Sequence, residues 1–142
     1  MIGYLDTSAL VPLLVAEPTS AACRRFWDDS DAVVSVRLAH VEAAAALAQA
    51  KRMDRLDGAA HGRALHQLDR LWAEMDVIEV DEPLTATAAD MADLLALRRY
   101  DAVHCAAAAH LADDDLVAAA GDQRLLAAWS KAGVATYDTA AP

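Results

Sequence analysis

Largely apolar short runs alternate along this chain with longer stretches whose apolar residues recur every three or four positions, which is the rhythm of strands alternating with helices. The first run, Ile2-Gly3-Tyr4-Leu5, stops at a carboxylate, Asp6. Thr7 and Ser8 come next, and a second apolar stretch, Ala9 to Val15, reads as a short helix. Glu17-Pro18-Thr19-Ser20 breaks that helix and opens another from about Ala21 to Asp28, carrying Phe26 and Trp27. Ala32 to Val36 is β-branched and follows the turn residues Asp29-Ser30-Asp31, so it reads as a second strand. Two long helices follow, Leu38 to Arg52 and Asp57 to Glu74, and the spacing of Leu65, Leu68, Leu71 and Trp72 makes them a packed pair. Asp76 to Val80 is a third strand, and Glu82-Pro83 opens a helix from Leu84 to Leu97. A helix from Asp101 to Leu111 ends at the polar Asp113-Asp114-Asp115. Leu116 to Ala120 is a fourth strand, Gly121-Asp122 turns into a helix ending near Lys131, and Val134 to Tyr137 is a fifth strand.

Strands with little polar alternation, separated by helices, predict a parallel sheet covered on both faces: an α/β/α sandwich of about five strands. The length, 142 residues, suits a single domain over residues 1–142, and no repeat or low-complexity segment divides it. Runs such as Ala43 to Ala46 and Ala106 to Ala109 favour closely packed helices. No apolar run approaches the roughly 20 residues of a membrane span, and the N-terminus lacks the basic region of a secretory signal, so a soluble cytoplasmic protein is expected. Cys23 and Cys105 lie far apart without a zinc-ligand spacing and read as reduced, helix-borne thiols.

A net charge of −10, from 22 Asp and Glu against 12 Lys and Arg, argues against holding nucleic acid by bulk electrostatics. A polyanion has to be met locally, by placed arginines or by a cation bound among acids. In a parallel sheet all strands end on one edge, which gathers Asp6 after the first strand, Asp122 after the fourth, and Glu42 about two turns into the helix after the second. Asp101 opens a helix with no strand before it, and its surroundings place it with the others: the run Ala102 to Ala109 is apolar nearly all round, so its start is inside the protein. Glu42 has Leu38, Ala39, Ala45 and Ala46 at helical spacing and no cation to pair with on its own helix. Each Asp also has a plain role open to it, as a helix cap or at a positive helix end. Four ionised carboxylates about 5 Å apart at an effective dielectric near 20 would repel by roughly 3 kcal/mol per pair, on the order of 20 kcal/mol in all. A domain of ordinary stability does not carry that. The cluster must be protonated, neutralised or occupied, and an oxygen-only set selects Mg²⁺ or Mn²⁺. Metal-assisted phosphodiester hydrolysis is the chemistry this suggests.

At this point the sequence resembles a known family, the PIN domains, and within it the VapC-type toxin ribonucleases of toxin–antitoxin pairs. The residues that carry the resemblance are Tyr4 to Leu10, Glu42, Arg99 to His104 and Asp122-Gln123-Arg124-Leu125, in that order along the whole chain. The resemblance implies an α/β/α fold, Mg²⁺ or Mn²⁺ held by Asp6, Glu42, Asp101 and Asp122, and endonucleolytic cleavage of RNA. It further implies a cognate VapB-like antitoxin that covers or penetrates the site, and a homodimer. Asp6 and Asp101 are expected as direct ligands, Glu42 and Asp122 as ligands directly or through water. Thr7 or Ser8 orients Asp6, and His104 is expected as a packed histidine supporting the site. Arg37, Arg98 and Arg99 stand near the edge, either to hold phosphates or to pair with nearby acids. Trp27, Trp72 and Trp129 are expected in the core or an interface. Ala120 replaces the Ser or Thr that many members carry before the last acid.

Three other readings stand beside this one. A haloacid-dehalogenase-like phosphatase also starts with a strand ending in Asp, but it needs a second Asp two residues later, where this chain has Ser8. A receiver domain needs a Lys after its last strand, where this chain has Asp138-Thr139. A non-catalytic binding module of the same fold is the third, and the presence of all four acids counts against a decayed site.

Overall fold

The computed structural model describes residues 1–142. Its strands are β1 (Ile2–Leu5), β2 (Ala32–Val36), β3 (Asp76–Ile78), β4 (Leu116–Ala120) and β5 (Ala135–Asp138), and its helices are α1 (Thr7–Leu10), α2 (Ser20–Asp29), α3 (Leu38–Arg52), α4 (Gly58–Glu74), α5 (Glu82–Leu95), α6 (Arg99–His110) and α7 (Gln123–Lys131). The strands form one sheet in the order β3-β2-β1-β4-β5, with every pairing parallel. The expected three-layer sandwich is the one observed.

Because alternate residues of a strand face opposite sides, each strand feeds two cores. Tyr4, Val34, Val36, Ala118 and Ala120 pack with Leu84 of α5, the stretch of α6 from Cys105 to Ala108, and Trp129 of α7. Leu5, Val33 and Ala119 pack on the other side with Leu10, Phe26 of α2, Ala39 and Ala43 of α3, and Leu68 of α4. Full burial of a Leu or Phe contributes about 1.5–3 kcal/mol, so these two clusters carry most of the fold. The small residues of α3 and α6 let both helices lie close to the sheet. Gly3 serves the same end: a Cβ there would collide with Ser30 Oγ and stand 2.8 Å from the Phe26 ring. Inside the sheet the one buried hydroxyl of β2, Ser35, donates to the Leu5 carbonyl at 2.6 Å, which ties β2 to the end of β1 directly before Asp6.

Several boundaries differ from expectation, each for a local reason. The stretch Ala9 to Val15 is not one helix: α1 is a single turn that passes into a 3₁₀ turn at Val11–Leu13, where Pro12 lacks the N–H that an α-helix would use. Strand β3 stops at Ile78, whose carbonyl accepts the last ladder bond from β2's side, the Arg37 N–H at 2.8 Å. Helix α5 starts at Glu82, capped by Asp81, and ends at Leu95 because Ala96 turns left-handed with φ 52°. Helix α6 starts at Arg99, two residues before Asp101, so Asp101 lies in its first turn and does not cap it. The fifth strand begins and ends one residue later than expected. Helices α3 and α4 do pack together. Both cysteines are buried and free, and no helix is long and apolar enough to cross a membrane.

Candidate active site

Strand β1 lies at the centre of the sheet, and its two neighbours, β2 and β4, lead to helices in opposite directions from it. A crevice opens at the carboxyl ends of strands at such a point. Asp6 is the first residue past β1. Its backbone is extended and its Oδ1 accepts the Ala9 N–H at 3.0 Å, so it caps α1. The Ser8 hydroxyl lies 2.7 and 2.9 Å from its two oxygens and accepts the Gly121 N–H at 2.8 Å, which fixes the carboxylate to the end of β4. Asp6 is 5% exposed. Burial pushes its pKa up to about 6, opposed in part by nearby His104 and by the Ser8 hydrogen bond.

A second network joins three elements beside it. The Tyr4 hydroxyl lies 2.8 Å from His104 Nδ1, His104 Nε2 lies 2.7 Å from Glu42 Oε1, and the Thr7 hydroxyl donates to the same oxygen at 3.0 Å. Nε2 faces the Glu42 carboxylate and Nδ1 the Tyr4 hydroxyl, so each ring nitrogen has a partner. Both ring nitrogens of His104 are committed and the residue is 2% exposed. It therefore orients Glu42, as expected of a supporting histidine, and its position leaves no nitrogen for proton transfer to a substrate. The chain of bonds leaves Glu42 Oε2 uncommitted. The Trp129 indole N–H donates to the His104 carbonyl at 3.3 Å, and Tyr4 meets both rings edge to face.

Asp101 and Asp122 share an adjoining pocket of about 270 Å³ with Arg98, Gln123 and Arg124. Asp122 caps α7 with Oδ1, which accepts from the N–H groups of Arg124 at 2.9 Å and Leu125 at 3.3 Å. Asp101 caps nothing, so its carboxylate is free to turn into the pocket. Its pKa is raised, first by burial and then by the Asp122 charge, with His104 pulling it down and Glu42 pushing it up. These mutual effects tie Asp101 to two of the other expected acids, Asp122 and Glu42.

The four acids do not, however, form the tight cluster that the repulsion argument assumed. No three His, Cys, Asp or Glu side chains stand together as a metal-holding group. Three of the acids are turned to protein donors instead: Asp6 to Ser8, Glu42 to Thr7 and His104, and Asp122 to the start of α7. These donors help the fold carry the acids, with Arg98 and Arg124 beside Asp101 and Asp122. The donor set still fits a hard cation, since it offers only carboxylate oxygens, and the two acids that burial disfavours as anions, Asp6 and Asp101, are the two expected as direct ligands.

The arginines divide. Arg37 forms an ion pair with Glu79, its Nε 3.2 Å from Oε2, so it is occupied by a neighbouring acid. Arg98 lines the acid pocket. Arg99 lies over its neighbour Tyr100, 5.5 Å from the ring centre, on the exposed side of α6. Arg124, in the pocket with Arg98, was not among the expected phosphate-binding residues, although its place two residues after Asp122 is a usable signal. Ala120 supplies no hydroxyl, but Thr139 reaches the same turn from the end of β5. A Cβ on Gly121 would stand 3.2 Å from Thr139 Oγ1 and 3.7 Å from Ser8 Oγ, and the Thr139 hydroxyl is buried without a hydrogen-bond partner. Trp129 is in the core as expected, Trp27 is partly buried against the core cluster of Leu5, Phe26 and Leu68, and Trp72 meets His40 edge-on between α3 and α4.

The chain is similar to known proteins. The family model described as PIN domain matches residues 3–128. Ribonuclease VapC45 of Mycobacterium tuberculosis (strain CDC 1551 / Oshkosh) is 38% identical over 122 residues, 86% of this chain and 85% of that protein. Among solved structures, PAE2754 from Pyrobaculum aerophilum is 26% identical with a TM-score of 0.68, covering 96% of this chain and 83% of its own. A toxin–antitoxin complex from Klebsiella pneumoniae contains a chain 12% identical with a TM-score of 0.64, covering 88% of this chain and 90% of its own, and it speaks for the fold alone. The sheet order, the acids at its carboxyl edge and a match spanning nearly the whole chain agree, and the chain belongs to the PIN-domain family.

Proposed function

We propose that this protein is a metal-dependent endoribonuclease and the toxin of a toxin–antitoxin pair. One observation carries the reading: carboxylates that follow β1 and β4, one on α3 and one in the first turn of α6 stand along one sheet edge, each on a different element. The relative named as a ribonuclease supports the substrate class.

Asp6 and Asp101 would hold Mg²⁺ or Mn²⁺ directly, and Glu42 through Oε2 and Asp122 through Oδ2 would hold it directly or through water. When bound, the ion supplies a water of lowered pKa and offsets charge on the leaving oxygen of the phosphodiester. The chain's own residues prepare that chemistry. Ser8 fixes Asp6, the Tyr4–His104–Thr7 network fixes Glu42, and Arg98 and Arg124 flank the acid pocket with two cations suited to phosphate oxygens. His104 acts only through Glu42. A phosphatase of the dehalogenase type is disfavoured, because the position of its second acid is Ser8, whose hydroxyl is spent on Asp6.

The partners follow from the same reading. A neighbouring structure is named as a toxin–antitoxin complex, and a basic antitoxin segment whose Arg or Lys reaches the acids would replace the cation electrostatically. A homodimer and a cytoplasmic setting complete the proposal. The test is incubation of antitoxin-free protein with labelled single-stranded and structured RNAs in Mg²⁺, Mn²⁺ or EDTA, beside Asp6→Ala and Asp101→Ala. The expected result is metal-dependent cleavage lost in both variants. Folded protein that neither binds metal nor cuts any RNA would make it a non-catalytic module of the same fold.

A further inference from the structure

The solvent face of α4 is basic in a protein whose net charge is −10. Ala64 and Leu68 mark the buried side of this helix. On the opposite side, Arg63, His66 and Arg70 line an open groove whose floor is Ala59 and Gly62. On a helix of 1.5 Å rise per residue, the stripe from Arg63 to Arg70 is about 10.5 Å long.

Neither arginine is neutralised. The positions three and four residues from Arg63 are Ala59, Ala60, His66 and Gln67, none of them acidic. Arg70 has Glu74 four residues on, yet its guanidinium bonds the Gln67 amide instead. Neither takes part in an ion pair, although the chain has 22 acids to offer. Asp69, the acid nearest in sequence, lies towards His40, 3.9 Å from its Nε2. The floor is also unusual. Glycine inside a helix costs about 1 kcal/mol relative to alanine. At Gly62 packing does not demand it, because a Cβ there would meet nothing within 4 Å. The space it leaves open is on the outside, between the cations.

We propose that this face of α4 holds the phosphate backbone of RNA, at a site made by Arg63, His66 and Arg70 and separate from the carboxylate edge. The inference rests on the ribonuclease reading. A narrow cationic stripe with an alanine–glycine floor suits a single strand, whose phosphates and riboses can settle between the side chains. The acidic remainder of the surface would repel a broad anionic partner such as a membrane or a large acidic protein. The site would keep the strand on the protein while the sheet edge, which is itself acidic, receives only the phosphate to be cut.

The test measures binding of a labelled mixed-sequence single-stranded RNA in EDTA, which prevents cleavage, over a series of salt concentrations. Arg63→Gln/Arg70→Gln is compared with wild type and with Arg24→Gln/Arg25→Gln, two exposed arginines of α2 that change net charge equally. The expected result is a roughly tenfold loss of affinity for the α4 variant, with the salt slope reduced by about 1.4 for two phosphate contacts on a single strand, and little change for the α2 variant. Equal losses in both variants, or none in the α4 variant, overturn the inference. An unchanged RNA affinity with lost binding of polyglutamate would overturn it too, and make the face a protein-docking surface. Cleavage of RNA by wild type in Mg²⁺ is followed in parallel. Intact cleavage beside a failed binding result removes the α4 site alone, whereas absent cleavage removes the ribonuclease reading beneath it.

Discussion

Asp6 shows how a single carboxylate can be made costly in order to be useful. Folded it titrates near 6, whereas its ordinary value is 3.8, so as the pH falls the native state takes up this proton before the unfolded chain does. The sign is that of a raised acid: a penalty of about 3 kcal/mol is fully present above pH ~6, is relieved as pH falls through 6, and is gone below the unfolded value. Asp6→Asn keeps an acceptor for the Ala9 N–H and removes the charge. Urea unfolding in EDTA is expected to show the variant about 1–3 kcal/mol more stable than wild type at pH 7.5, with the gain largely lost at pH 4. An equal gain at both pH values would mean that burial of the charge is not the cause. Tyr4→Phe makes the opposite case. It strips His104 Nδ1 of its partner inside the core, so it should destabilise the protein by about 1–2 kcal/mol at pH 7.5, again read from urea midpoints. A change within 0.3 kcal/mol would show that water or a rotated imidazole makes good the loss. The acids themselves were legible in the sequence, because a carboxylate directly after an apolar run, or alone in an alanine-rich helix, lacks local company. The Tyr4–His104–Glu42 chain was not, since its members lie on β1, α6 and α3 and meet only through the sheet order. Of the two roles open to Arg37, holding phosphate or pairing with a nearby acid, the chain just past β3 favours the second by bringing Glu79 beside it.

At the scale of elements, helix ends decide where the functional groups stand. Helix α5 ends because Ala96 adopts φ 52°, a left-handed conformation that costs a residue with a Cβ and suits glycine. Ala96→Gly should therefore stabilise the fold by up to about 1 kcal/mol and raise the thermal midpoint by a few degrees, measured by differential scanning calorimetry. A lowered midpoint would show that glycine's greater freedom in the unfolded chain outweighs the relief of strain. This end was invisible in the sequence, where Leu97 continues the apolar spacing and nothing marks a stop. The same stop lets the chain run extended through Arg98 and start α6 at Arg99. An aspartate before an apolar helix reads as a cap, which is why Asp101 seemed to begin the helix. Placed one turn inside it, Asp101 is spared the capping bond that Asp6, Asp57, Asp81 and Asp122 all make. The alternation of strands and helices needed none of this detail. It follows from periodicity, and a parallel sheet with right-handed crossovers is nearly its only packed solution.

For the whole molecule, a bound metal would link the acids, the net charge and the fold. An ion that binds the folded chain and not the unfolded one stabilises it by about 2.7 kcal/mol at one hundred times its dissociation constant. For a chain of 142 residues that is a rise on the order of 5–10 °C in the unfolding midpoint. Any salt will also screen the self-repulsion of a protein at −10, so the comparison must be made at matched ionic strength. Under that condition Mn²⁺ is expected to raise the midpoint of wild type and to leave Asp101→Ala unmoved. The effect should also depend on pH. Ligation requires ionised Asp6 and Asp101, and burial raises the pKa of both, so lowering the pH from 7.5 to 5 should shrink the Mn²⁺-induced rise by more than half. Metal-free protein moves the other way, since the same protonation relieves the buried charge. The two curves should thus converge towards pH 5 and separate towards pH 8. If Mn²⁺ stabilised wild type and Asp101→Ala alike, or equally at both pH values, the ion would be acting as a surface counterion and the carboxylate edge would lose its claim to be a metal site. If the curves separate as expected, one measurement ties the charge that destabilises the empty fold to the ion that the reaction would use.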